Sequence, residues 1–154
     1  MDRITFFQLN LHNSYKAQDE LENRISEINN PSICFIREPP IPKKQIKYPK
    51  NFTHFINSDT PRASLFIPKS LSFSQIPSLT TIHSMVAVGK INTKEVIIAS
   101  IYLPPKTTST PKWLQNILDY ASDRKIGILI AGDFNGHSPL WGDCLLYTSP
   151  SPRD

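Results

Sequence analysis

Gly132-Asp133-Phe134-Asn135-Gly136-His137 follows directly on the apolar run Ile126 to Ala131. The arrangement sets a carboxylate, a carboxamide and an imidazole at the mouth of what reads as a buried strand, where they could hold a metal ion or orient a water. Asn10, Glu38 and Tyr102 also stand at or beside the ends of apolar runs. Strands that release polar tips at one rim of a sheet bring residues distant in sequence into one cleft. Glu38, Asp133, Asn10 and Asn135 are all oxygen donors. Such a set suits a hard Mg2+ or Mn2+ that keeps several waters, whereas a zinc site would draw on more His and Cys. A single carboxylate at a strand end is ordinarily a solvated turn residue, so the weight rests on the combination.

The elements that must carry these residues follow from periodicity. Ile4 to Leu11 is rich in β-branched and aromatic residues and predicts a strand. Ser14 then caps a helix whose apolar stripe is Ala17, Leu21, Ile25 and Ile28, ending near Asn29-Asn30-Pro31. Ser32 to Ile36 is a second apolar strand, closed by Arg37-Glu38-Pro39-Pro40. Ile41 to Lys50 carries Lys43, Lys44, Lys47 and Lys50 among prolines and reads as a surface loop. Thr53 to Ile56 and Ala63 to Ile67 are short strands around a turn at Asn57 to Pro61. Thr80 to Lys90 and Glu95 to Tyr102 form a hairpin through Ile91 to Lys94. Val96 to Ile101 is apolar almost throughout, which places it in the middle of a sheet. Thr110 with Pro111 starts a helix with Trp113, Leu114, Ile117, Leu118 and Ala121 on one face, and Gly127 to Ala131 is the final strand. This order predicts an α/β sandwich with helices outside packed sheets.

Composition sets the frame. The last residues, Cys144 to Asp154, back-translate without a mismatch to a transposase adapter used in preparing sequencing libraries, so 144–154 is expected to be a non-native tail and 1–143 part of one domain. The net charge of +4 is the same without the tail, because Arg153 and Asp154 cancel. Mild basicity suits a phosphate-bearing partner without demanding one. Cys34 is then the sole cysteine, inside an apolar run, which argues against a disulfide framework and for a reducing compartment. No signal peptide or bilayer-spanning run is visible, and a soluble intracellular protein is expected.

Taken with their flanks, the site residues resemble a known family. Gln8-Leu9-Asn10, Ile36-Arg37-Glu38-Pro39-Pro40, Arg62-Ala63-Ser64-Leu65, Ser100-Ile101-Tyr102-Leu103-Pro104-Pro105 and Gly132-Asp133-Phe134-Asn135-Gly136-His137 occur in the order found in the endonuclease/exonuclease/phosphatase superfamily. Ser138-Pro139-Leu140-Trp141-Gly142 extends the last motif in the manner of the endonuclease domain of non-LTR, LINE-type retrotransposons. The resemblance implies a four-layer αββα sandwich, DNase I-like, missing its C-terminal strands.

It also implies roles. Glu38 would be the principal ligand of Mg2+ or Mn2+, with Asn10 assisting. Tyr102 would hydrogen-bond the scissile phosphate, Asp133 would align or deprotonate the attacking water, and Asn135 would help to orient it. Candidate phosphate or groove contacts are His12, Arg37 and His137, and Trp141 reads as core packing. The reaction implied is hydrolysis of one phosphodiester bond in DNA, leaving a 3′-hydroxyl to prime a reverse transcriptase of the same polyprotein, with action in the nucleus and no membrane.

The family pattern is departed from in two ways. His12 stands where an acidic residue is frequent, and the late Ser-Asp-His element of these enzymes is not found, so this fragment is expected to be inactive. The rival readings are another superfamily branch, such as a DNA-repair endonuclease or an inositol or lipid phosphatase, and a non-catalytic nucleic-acid-binding remnant.

Overall fold

The structure, a computed structural model, describes residues 3–12, 14–39, 51–56 and 62–133. Its strands are β1 (Thr5–Asn10), β2 (Ser32–Arg37), β3 (Phe52–Phe55), β4 (Ala63–Pro68), β5 (Phe73–Gln75), β6 (Ser84–Ile91), β7 (Lys94–Tyr102) and β8 (Gly127–Asp133). The helices are α1 (Tyr15–Ser26) and α2 (Lys112–Arg124), and Pro77–Leu79 forms a 3-10 turn.

Two four-stranded sheets result, in the orders β1-β2-β4-β3 and β5-β6-β7-β8. Alternation along the strands stacks them. Ile33 and Phe35 of β2 and Leu65 and Ile67 of β4 face Met85, Ala87 and Ile98 of the other sheet. The intervening Cys34, Ile36 and Phe66 face Ala17, Leu21 and Ile25 of α1. On the far side Val86, Ile97, Ala99 and Ile101 meet Leu114, Ile117 and Ala121 of α2. The layers are therefore α, β, β, α, the sandwich that the sequence implied. Burial next to α1 pushes the Cys34 thiol up to about 12, consistent with an inert packing residue.

Parallel pairs flank each helix in sequence: β1 with β2 across α1, and β7 with β8 across α2. A crossover helix is the usual way to bring a strand back in parallel. It sends the chain into each such strand at one end of the sheet and out at the other. Asn10, Arg37, Tyr102 and Asp133 are the last residues of β1, β2, β7 and β8, with Asn10 opposite Arg37 and Tyr102 opposite Asp133 in register. The carboxyl ends of parallel strands are the usual place for an α/β site.

Local chemistry accounts for the element boundaries. Ser14 Oγ accepts from the Ala17 amide at 3.2 Å, the N-cap that the sequence implied. The cap of α2 differs from expectation. It is Pro111, with extended backbone and no side-chain bond, so Thr110 lies one residue outside. Helix α1 ends at Ser26 with Glu27 as C-cap, a turn earlier than the Asn-Asn-Pro stop. β5 and the 3-10 turn had no clear sequence signal, being short and mostly polar at the surface. Among the described residues β8 pairs with β7 alone and is half-exposed, where its apolar run alone reads as a buried strand. Val96–Ile101 does lie inside its sheet, between β6 and β8. The Lys43–Lys50 loop, the Asn57–Pro61 turn and the tail 144–154 fall outside the described residues.

Candidate active site

Glu38 follows β2 in left-handed backbone, with φ 47°, and its amide donates to the Arg62 carbonyl at 3.0 Å. A non-glycine residue there costs free energy, and such positions gather at functional sites. The turn aims its carboxylate at β1, where Asn10 Nδ2 donates to Glu38 Oε2 at 2.6 Å. Asn10 Oδ1 in turn accepts from the His12 amide at 2.8 Å, which fixes which end of the carboxamide faces Glu38. His12 is itself at φ 49°, so the chain doubles back just past Asn10.

The other sheet supplies Tyr102 and Asp133. Arg37 NH1 donates to Asp133 Oδ2 at 2.6 Å, an ion pair that crosses from one sheet to the other. Both side chains are partly exposed, so the pair serves placement more than stability. Beside it, Gln8 clasps both backbone polar groups of Gly132: its Nε2 donates to the Gly132 carbonyl at 3.1 Å and its Oε1 accepts from the Gly132 amide at 3.2 Å. Ser100 Oγ donates to the Ile36 carbonyl at 3.4 Å, another bond between the sheets at this end.

Tyr102 is held by several neighbours. Its amide donates to the His83 carbonyl at 2.8 Å, the His83 ring stacks on it at 6.1 Å between centroids, and the Arg62 guanidinium lies 5.1 Å from its centroid. Burial first, and the Arg62 charge second, lower the His83 pKa below the ordinary histidine value and favour its neutral form.

Asn10, Glu38, Tyr102 and Asp133 thus gather at one end of the sandwich, linked through Arg37 and Arg62. Asn135 and His137 lie outside the described residues. His12 contributes its backbone to the Asn10 turn. Arg37, a candidate phosphate contact, has its NH1 committed to Asp133. Sequence reasoning gave no part to Gln8, Arg62 or His83 in shaping this end. Gln8 and Arg62 were visible only as motif letters, and His83 carried no signal, because its relation to Tyr102 exists only across paired strands.

Among the described residues no group of three or more His, Cys, Asp or Glu could hold a metal ion. This rules out a thiolate or imidazole cage there. What remains is one half-buried carboxylate, Glu38, whose free oxygen suits a cation retaining most of its water. Asn10, expected to assist as a ligand, instead turns its amide nitrogen to Glu38 and its oxygen to the His12 amide.

Residues 96–145 match the family described as Endonuclease-reverse transcriptase. Across 88% of this chain the structure superposes on the endonuclease domain of TRAS1, a telomere-specific non-LTR retrotransposon, with a TM-score of 0.63 and 23% identity. The fold of this chain is therefore like that of the TRAS1 domain. The chain spans 60% of the length of that solved domain. No curated protein matches the sequence. The family match covers the part of the endonuclease fold that carries Tyr102 and Asp133, and the superposition extends to the sheet that carries Asn10 and Glu38.

Proposed function

We propose that this chain is part of a retrotransposon endonuclease that hydrolyses a phosphodiester bond in DNA and leaves a 3′-hydroxyl for a reverse transcriptase of the same polyprotein. The observation that carries the reading is the 2.6 Å Arg37–Asp133 pair, because it draws the Asn10–Glu38 side of one sheet against the Tyr102–Asp133 side of the other. The match over residues 96–145 favours this branch over a phosphatase or a repair enzyme. The length of the TRAS1 domain supports assigning activity to a polypeptide longer than this chain. Its work would be done where target DNA lies, in the nucleus.

In this reading Glu38 holds Mg2+ or Mn2+ and Asn10 keeps the Glu38 carboxylate turned toward the site. The bound ion supplies charge neutralisation for the phosphate oxygens. Tyr102 donates its hydroxyl to the phosphate, where negative charge gathers as the bond breaks. Asp133 aligns the attacking water and takes its proton, with one of its oxygens held by Arg37. Asn135, two residues on, assists in orienting that water.

The test is nicking of supercoiled plasmid by the product of the whole open reading frame. Nicking requires Mg2+ or Mn2+, and Glu38→Ala lowers it to background. DNA binding that needs no metal, with no nicking by the unsubstituted protein, would replace the enzyme with a non-catalytic nucleic-acid module.

A further inference from the structure

We propose that His83 is a positioning residue for the Tyr102 hydroxyl, an inference that rests on Tyr102 being the phosphate donor. Strand pairing fixes the Tyr102 backbone but leaves its χ1 a choice among staggered wells. The hydroxyl lies on the ring axis, so it is χ1 that swings it, and packing against the ring decides which well is held.

His83 is built to give that support. Its carbonyl receives the Tyr102 amide at 2.8 Å, and its ring lies nearly parallel to that of Tyr102, at 27°. The imidazole also meets Trp113 of α2, 5.7 Å between centroids, so the Tyr102 ring is backed through His83 onto a helix. The loop under His83 is tied down. Its amide donates to Thr81 Oγ1 at 3.1 Å, Thr81 Oγ1 lies 2.9 Å from Ser84 Oγ, and the Arg62 amide donates to the Ile82 carbonyl at 3.2 Å. Arg62 then reaches the Tyr102 ring from the same loop neighbourhood.

The ring nitrogen of His83 argues for the mode of action. Nδ1 is buried and makes no hydrogen bond among the described residues. An unmade bond at a buried polar atom is a cost. The planar face, not that nitrogen, is therefore what holds Tyr102. A phenyl ring should serve in its place, and an aliphatic side chain of similar bulk should not.

Two measurements test this. In the full chain, with 13C-labelled tyrosine and Tyr102→Phe to identify the signal, His83→Leu shifts the Tyr102 ring resonances and His83→Phe restores them. In the whole open reading frame product, His83→Leu lowers kcat for nicking about 10- to 100-fold, the scale expected for a misplaced reacting group, while KM for DNA changes less than about twofold. His83→Phe recovers most of that loss, and His83→Leu adds nothing once Tyr102→Phe is present. Unmoved Tyr102 resonances in His83→Leu, or losses that multiply in the double variant, would overturn the inference. If the unsubstituted protein does not nick, the endonuclease assignment fails by itself, and the resonance shift continues to report on the His83–Tyr102 contact.

Discussion

β2 and β8 look alike in sequence, each a short apolar run that delivers an acidic residue at its end, yet they occupy opposite situations. β2 lies between β1 and β4, is buried along five of its six residues, and packs Ile33 and Phe35 between the sheets and Cys34 and Ile36 against α1. Among the described residues β8 has β7 on one side only and leaves Leu129 38% exposed, near Phe6 of β1 at 45%. Phe6 and Leu129 line a shallow apolar groove where the edges of the two sheets run side by side. An apolar run therefore reports that a strand is suited to burial on both faces, not that neighbours cover it. The half of the site on β2 stands on a finished core. The half on β8 stands on an edge and depends on cross-sheet bonds to stay in place.

The contrast can be broken by substitution. Phe35→Ala, in the most enclosed layer, is expected to cost about 3–5 kcal/mol in urea denaturation of the full chain. Gly132→Ala comes next. Gly132 has φ 147°, and an added Cβ would lie 1.9 Å from the Ile101 carbonyl oxygen, so β8 must part from β7 at its end. A loss of about 1–3 kcal/mol is expected, with faster amide exchange at Leu103, whose amide donates to the Asp133 carbonyl. Leu129→Ala is the smallest, below about 1 kcal/mol, because the side chain is already partly in water. A Leu129→Ala loss as large as that of Phe35→Ala would mean that β8 is covered in solution and would remove the difference between the strands.

The sequence was most informative where one residue decides one feature. Ser14 announced α1 through its cap, and the two-sided apolar run at Val96 to Ile101 placed β7 inside its sheet. The layer order was legible because side-chain alternation in β2, β4, β6 and β7 divides each strand between its two faces. The candidate site was legible as a set of residue types, with Asn10, Glu38, Tyr102 and Asp133 each at a strand end. What could not be read was how the two sheets meet. Arg37 looked outward to phosphate by type, but its partner is 96 residues away and enters only once the sheets are stacked. His83 had no neighbour in sequence that marked it, since strand pairing alone carries it to Tyr102. Edge or centre was hidden for the same reason: β8 carries one strand's pattern, while its exposure belongs to the sheet.

The clasp between Gln8 and Gly132 makes one glutamine side chain a ruler for the whole cleft. Its carboxamide meets the N–H and C=O that flank one residue, as a neighbouring strand would, but at a spacing set by its own two methylene groups. Glutamate would keep the reach and lose the donor, and asparagine would keep both polar groups and fall short. The gap between β1 and the end of β8 is in this way written into the covalent length of one side chain.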